Sequence, residues 1–117
     1  MGQQNNVDKP SRSDRDGLLL AIDIGTTTVR AILFDLAGQR VGEARYEPPV
    51  LTPGPYMAEV DPQVRYDLAV RAVRDCLTLT DTRPEQVLAL SLSGLQHALV
   101  PLDKAGKAIS VPHDQYC

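Results

Sequence analysis

The sequence has no long apolar run, no excess of basic residues and few cysteines, and each absence excludes a class of protein. The longest uninterrupted apolar run, residues 18–22, is too short to cross a bilayer. A net charge of −3 argues against a general nucleic-acid binder, which usually carries a basic face. Two cysteines far apart in sequence, Cys76 and Cys117, predict unpaired thiols in a reducing compartment rather than a disulfide framework.

The N-terminal segment also lacks the apolar core of a secretory signal, which predicts a cytoplasmic protein. Residues 1–17 are polar, and we interpret them as a flexible leader because they bury too little apolar surface to offset the entropy of ordering. The chain as a whole is 43% hydrophobic and 23% charged, as in ordinary globular proteins. Its 117 residues are enough for one small domain, which we place at residues 18–110, with residues 111–117 as a divergent tail.

Apolar runs separated by turns predict a mixed α/β sheet. The segments Leu18–Ile24, Val29–Phe34 and Arg40–Tyr46 lie between short turns and predict a three-stranded meander. Residues 87–92 predict a buried fourth strand. Because a helix precedes it, this strand is expected to run parallel to a neighbour through a right-handed crossover. The expected order is β-β-β-α-β with an appended β-hairpin, whose strands are predicted at residues 98–102 and near residues 107–110.

The predicted helix begins at Asp61 and Pro62, since aspartate caps the first amides and proline suits the first helical position. Apolar residues then recur at i, i+4, i+7 and i+11, namely Tyr66, Val70, Val73 and Leu77. This spacing predicts that the helix packs these four side chains against the sheet.

Asp23 is anomalous, because burial of an unpaired carboxylate within a strand is costly. Either its side chain caps the following turn, or a cation faces it. The turn holds Gly25 and three threonines, and a glycine with converging amides and hydroxyls suits an anion such as phosphate. Arg30 either adds positive charge near that phosphate or is an ordinary arginine on a solvated strand face.

Three motifs occur in order along the chain: DIGTTTVRA at residues 23–31, EVDP at residues 59–62, and SGLQHA at residues 93–98 followed by LDKAGK at residues 102–107. Together they resemble the FGGY family of carbohydrate kinases. Residues 23–31 (DIGTTTVRA) are similar to the first phosphate motif of the superfamily of sugar kinases, heat-shock chaperone ATPases and actin. Residues 59–62 (EVDP) match the family's E-x-D-P pattern before the first helix. Residues 93–98 (SGLQHA), with residues 102–107 (LDKAGK), resemble its S-G-Q-M-H loop and L-D-x-x-G-K hairpin, which counts against a chaperone-type ATPase.

The resemblance implies a ribonuclease H-like fold of the actin-like ATPase and sugar kinase superfamily, here an incomplete lobe. It implies an N-terminal fragment of an ATP-dependent kinase that transfers the γ-phosphate to a hydroxyl of a sugar, sugar acid or polyol. The alternative is a non-catalytic module of the same superfamily that binds nucleotide or sugar. The implied cofactors are ATP and Mg²⁺, and the implied partner is a small sugar or polyol, with no nucleic acid and no membrane; the oligomeric state stays open.

Site residues follow from the matched motifs. Asp23 matches the acid that helps to hold the Mg²⁺ of Mg-ATP. The residues that match the phosphate-binding hairpin are Gly25, Thr26, Thr27, Thr28 and Arg30. Gln96 and His97 match the pair that hydrogen-bonds the hydroxyls of the sugar or polyol.

Departures from the family pattern bear on substrate and activity. The Gln96–His97 pair is compatible with a xylulose- or gluconate-type kinase, whereas a glycerol-type kinase is expected to show Arg-Glu there. Leu95 and Ala98 differ from the xylulose-kinase pattern, which leaves the sugar open. In the family the general base lies later in the chain, so we expect no catalytic residue and weak or no kinase activity here. We interpret the divergent tail as the result of a frameshift or premature stop.

Overall fold

The computed structural model describes residues 17–52, 54–55, 60–96 and 99–109. Its elements are β1 (Leu18–Ile24), β2 (Val29–Phe34), β3 (Arg40–Tyr46), α1 (Pro62–Leu79) and β4 (Val87–Ser93), with a 3₁₀ turn at Pro84–Gln86 before β4. The predicted order β-β-β-α-β is confirmed. The tail and all but the last residue of the predicted leader lie outside the described residues, so both stay predictions.

The four strands form one mixed sheet in the order β3-β2-β1-β4. β1 pairs with β2 and β2 with β3 in antiparallel registers, as expected for a meander. β4 pairs with β1 in parallel, with Leu20 opposite Leu90 and Asp23 opposite Ser93. The helix between β3 and β4 therefore joins parallel neighbours, as the sequence predicts.

The core lies between α1 and the inner face of β1, β2 and β3. Alternate residues of β2 are fully buried, as expected for a strand with one covered face. The buried cluster consists of Leu18, Leu20, Ile22, Val29, Ala31, Leu33, Ala44, Ala69, Ala72 and Cys76. Its strand members are mostly large and its helix members small, so the helix backbone packs close to the sheet.

The predicted start of α1 is confirmed, but the predicted buried face is wrong. Asp61 caps the helix, since its Oδ1 accepts from the amide of Gln63 at 2.8 Å, and Pro62 is the first helical residue. Tyr66, expected in the core, is 64% exposed. The buried residues of α1 are Arg65, Ala69, Ala72 and Cys76.

This buried row has the spacing i, i+4, i+7 and i+11, one residue earlier than the predicted row. Small side chains at Ala69, Ala72 and Cys76 allow close contact with the sheet, whereas a row beginning at Tyr66 would hold the helix further away. Val73 and Leu77 border the core and are partly buried. Hydrophobic periodicity therefore predicted the helix but not its orientation about its axis.

The prediction that the fourth strand is buried is also wrong. Leu88, Leu90 and Leu92 are 64%, 58% and 62% exposed. β4 is an edge strand of the sheet, and α1 lies mainly across β2 and β3. The apolar composition of β4 thus reflects a face that nothing in the described part of the chain covers.

The appended hairpin is present as one antiparallel bridge between Leu102 and Ala108. Its turn is closed by Asp103, whose Oδ1 accepts from the amides of Ala105 and Lys107 at 2.8 and 2.9 Å. The predicted strand ends at residues 98 and 110 lie outside the described residues. No helix in the described part of the chain is long and apolar enough to span a membrane.

Candidate functional site

The turn between β1 and β2, residues 25–28, is tight. The amide of Gly25 donates to the carbonyl of Thr28 at 2.8 Å, which closes the turn. A Cβ atom at Gly25 would stand 3.0 Å from that same carbonyl oxygen, closer than an ordinary contact. A larger residue at this position would therefore force the turn to shift by a few tenths of an ångström. Thr26 and Thr27 occupy the tip.

Asp23 and Arg30 flank this turn as directly opposed residues of β1 and β2. Nε and Nη2 of Arg30 both lie 2.9 Å from Oδ2 of Asp23, so the guanidinium makes two contacts with one carboxylate oxygen. The predicted anomaly is thus resolved by a cation that faces the acid, and that cation is Arg30. The two side chains are 32% and 43% exposed, so the pair lies at a surface open to a ligand.

Arg65, which the sequence analysis did not single out, contacts the other side of the turn. Its side chain is buried, with 4% of the residue exposed. Nη1 donates to the carbonyl of Gly25, and Nη2 donates to the carbonyl of Thr26 at 3.0 Å. Arg65 lies four residues before Ala69 in the row that the structure buries, whereas the apolar spacing predicted a row that begins at Tyr66, so the sequence carried no direct signal for this contact.

The third predicted motif, residues 93–98, starts at the same end of the sheet as the turn. β1 and β4 are parallel and in register at Asp23 and Ser93, so the loop after β4 starts beside the turn after β1. Gln96 is exposed on this loop. His97, its predicted partner in substrate binding, lies outside the described residues. Loops after the carboxyl ends of parallel strands are the usual place for ligand binding in α/β sheets.

A third polar cluster joins the end of β3 to α1. The hydroxyl of Tyr46 donates to Oδ2 of Asp75, and the guanidinium of Arg71 lies over the Tyr46 ring at 4.6 Å. The hydrogen bond to Asp75, followed by desolvation, raises the pKa of Tyr46 above its ordinary value. The cluster links helix to sheet on the outer side of α1, and sequence spacing gave no signal for it.

The described residues contain no group of three or more His, Cys, Asp or Glu side chains that can hold a metal ion. A resident metal ion bound by protein ligands alone therefore does not fit this part of the chain. Asp23 does fit a Mg²⁺ that arrives with a nucleotide, because Mg²⁺ is commonly held by one or two carboxylates together with substrate phosphates and water. Its Oδ2 contacts Arg30, and Oδ1 is available to such an ion or to its water.

Comparison with known proteins shows similarity to curated glycerol kinases. The chain is 31% identical over 94 residues to a glycerol kinase of Thermococcus onnurineus, an alignment that covers 80% of this chain and 19% of the relative. The chain thus spans about a fifth of the length of the curated relatives it matches.

Solved structures agree with the sequence relatives. The xylulose kinase from Rhodospirillum rubrum superimposes with a TM-score of 0.75 at 27% identity, over 84% of this chain and 20% of that one. The gluconate kinase from Lactobacillus acidophilus has the same fold, with a TM-score of 0.74 at 23% identity, over 83% and 19% of the two chains. The expected actin-like ATPase fold is confirmed.

These three proteins are named for three different substrates, so the comparisons do not identify the substrate of this chain. The preference for a xylulose- or gluconate-type kinase over a glycerol-type kinase stays a prediction. All three are kinases, which disfavours the non-catalytic binding module. The sequence model for the FGGY family of carbohydrate kinases, N-terminal domain, matches residues 18–111. This chain therefore belongs to the FGGY family of carbohydrate kinases.

Proposed function

We propose that this chain is the part of an ATP-dependent carbohydrate kinase that binds the nucleotide phosphates and begins the sugar site. The observation that carries the proposal is the turn at residues 25–28, which has Asp23 and Arg30 at its base and the Gln96 loop beside it. The carboxyl ends of β1 and β4 thus lead into donors for phosphate, a carboxylate for Mg²⁺ and a polar loop for hydroxyls.

Phosphoryl transfer needs mainly positioning and charge stabilisation from the protein. In the proposed site, hydroxyls and amides of Thr26, Thr27 and Thr28 bind phosphate oxygens, and Arg30 adds positive charge nearby. Asp23 holds the Mg²⁺ that accompanies ATP, directly or through water. The metal supplies charge neutralisation on the phosphates. Gln96 and His97 bind hydroxyls of the sugar or polyol.

The curated relatives are about five times as long as this chain. We therefore propose that the chain by itself binds Mg-ATP with little or no turnover, and that the complete enzyme acts in the cytoplasm. A xylulose- or gluconate-type substrate is proposed, since Gln96 and His97 stand where a glycerol-type kinase is expected to carry Arg-Glu.

Calorimetry with Mg-ATP tests this function. The wild-type chain should bind Mg-ATP more tightly than ATP in the presence of a chelator. Asp23→Asn should reduce that difference, because the amide is a much poorer magnesium ligand than the carboxylate. The matched control is Asp67→Asn, an exposed acid on α1 bonded to the side chain of Gln63. Binding that Asp23→Asn and Asp67→Asn affect equally would contradict the assignment of Asp23.

The sugar part of the proposal needs its own titration. Xylulose, gluconate and glycerol should be added to the chain saturated with Mg-ATP, and heat release followed for each. We expect xylulose or gluconate to bind more tightly than glycerol, with the preference lost in Gln96→Ala. Tighter binding of glycerol would overturn the substrate class while leaving the nucleotide site intact.

A further inference from the structure

Arg65 is a buried cation on the face of α1 that packs against the sheet. Burying a charge is costly unless the group is paired or fully hydrogen-bonded, and arginine is almost never fully buried otherwise. The guanidinium reaches the carbonyls of Gly25 and Thr26, two successive residues of the turn that lie about forty positions earlier in the chain. One side chain of the helix thus holds two successive peptide groups of the proposed phosphate site.

The geometry of the peptide bond determines where the amides on the other side of the turn point. In a trans peptide, the C=O and the following N–H point in opposite directions. If Arg65 holds the carbonyls of Gly25 and Thr26, then the amides of Thr26 and Thr27 point away from Arg65. Neither amide donates to a backbone carbonyl within the described residues. Successive amides that point the same way form a concavity suited to an anion.

We propose that Arg65 is a positioning residue that orients the Thr26 and Thr27 amides toward the nucleotide phosphate. The inference rests on the proposed function and adds a residue to it. Arg65 acts on the carbonyl side of the turn and does not touch the phosphate itself. Arg30, in contrast, lies at the base of the turn in an ion pair that is open to solvent.

Arginine suits this role better than lysine, because its planar fork carries donors at fixed spacing. Two nitrogens of the guanidinium bond two different carbonyls at once. A lysine ammonium keeps the charge but donates from a single nitrogen on a flexible stem. Arg65→Lys should therefore restore part of what Arg65→Met removes, whereas a purely apolar packing role would favour methionine.

Two measurements on the whole chain separate positioning from simple anchoring of the helix. The first is hydrogen exchange of the Gly25 amide, which donates to Thr28 and reports order in the turn without any ligand. The second is the affinity for Mg-ATP, measured by calorimetry at a temperature where all variants are folded. The matched control is Arg74→Met, because Arg74 is an exposed arginine on the same helix.

We expect Arg65→Met to speed exchange at Gly25 and to weaken Mg-ATP binding by about tenfold to a hundredfold, the usual effect of losing a hydrogen bond to a charged group. Arg65→Lys should fall between Arg65→Met and wild type, and Arg74→Met should match wild type. If Arg65→Met does not fold, exchange at Gly25 and affinity for Mg-ATP are compared between Arg65→Lys and Arg74→Met instead.

A folded Arg65→Met or Arg65→Lys variant with wild-type exchange at Gly25 and wild-type affinity overturns the inference. Faster exchange with unchanged affinity also overturns it, since the turn would then be ordered for stability alone. A wild-type chain that binds no Mg-ATP overturns the phosphate-facing role together with the proposed function. Wild-type binding that the Arg65 variants leave unchanged overturns the inference and keeps the function.

Discussion

Asp23 and Arg30 face each other across the first two strands, and two nitrogens of the Arg30 guanidinium each lie 2.9 Å from the same Asp23 oxygen. Both side chains are about a third or more exposed, so water screens their attraction. Exposed ion pairs of this kind contribute roughly 0.2–1 kcal/mol to stability. The pair beside the Gly25–Thr28 turn therefore contributes little to folding, and its proposed role in binding phosphate and Mg²⁺ can be tested separately from stability.

The first prediction concerns Arg30→Met. The free energy of unfolding in urea should fall by less than about 1 kcal/mol, because only an exposed ion pair is lost. The affinity for Mg-ATP should fall clearly, since a positive charge near the phosphates disappears. Arg40→Met is the control, because Arg40 is an exposed arginine that pairs with Glu43 within β3, away from the turn at residues 25–28. Equal affinities for the two variants would contradict a phosphate role for Arg30.

The second prediction concerns the contact between Gly42 and Thr80. A Cβ atom at Gly42 would overlap the Cγ2 methyl of Thr80. Thr80 is buried and held in place, because its hydroxyl donates to the carbonyl of Cys76 at 2.7 Å. Gly42→Ala should therefore lower the free energy of unfolding by about 1–3 kcal/mol, the usual cost of overpacking. Urea denaturation measures it.

Two comparisons make that measurement specific. Gly94→Ala should change stability by less than about 0.5 kcal/mol, because a Cβ there meets no atom of the described residues within 4 Å. Thr80→Ser removes the obstructing methyl and keeps the hydroxyl, so adding it to Gly42→Ala should recover part of the loss. If the double variant loses as much free energy of unfolding as the two single variants together, the overlap is not the cause.

The third prediction is a loss of stability at alkaline pH that originates at Cys76. Burial raises the pKa of the Cys76 thiol above its ordinary value of 9.0. In the unfolded chain the thiol therefore ionises at lower pH than in the folded chain. Its contribution is fully present below about pH 9 and is lost as pH rises through the folded pKa.

Urea denaturation at about pH 8 and about pH 10 should thus show lower stability at the higher pH. Cys76→Ala should show a smaller decrease, although it is less stable at pH 8 because a buried group is lost. The pKa of Tyr46 is also raised above its ordinary value of 10.0, so its contribution to stability is likewise lost as pH rises above that value. Tyr46→Phe therefore serves as a second variant. An identical decrease in wild type and Cys76→Ala would refute the role of the thiol.

The fourth prediction concerns the exposed edge strand. β4 has no charged residue and no proline, and its leucines are more than half exposed. Uncharged apolar edges pair readily with other chains. The wild-type chain should therefore associate as its concentration rises, and Leu90→Lys should reduce this in light scattering. Leu79→Lys is the control, because Leu79 is 65% exposed on α1, away from the edge; an equal effect of both variants would point to net charge instead.

Local patterns in the sequence determined the elements of this protein. Runs of apolar residues predicted β1 and β2, and the turn after β2 predicted β3, at their observed bounds, since strand formation depends on neighbouring side chains and turn residues. Asp61 and Pro62 predicted the start of α1, because helix capping also depends on residues that are neighbours in the chain. The tight turn at residues 25–28 and its flanking acid were also recognisable, because their residues lie close together in the chain.

Only the tertiary structure decided which face of each element is covered. Rotation of α1 buries the row that begins at Arg65 because small residues permit close packing, and the position of α1 over β2 and β3 leaves β4 exposed. Arg65 reaches the turn across about forty residues, and the Gln96 loop reaches the same edge through parallel pairing of β1 and β4. Such contacts depend on how elements pack together, and local sequence does not specify that packing.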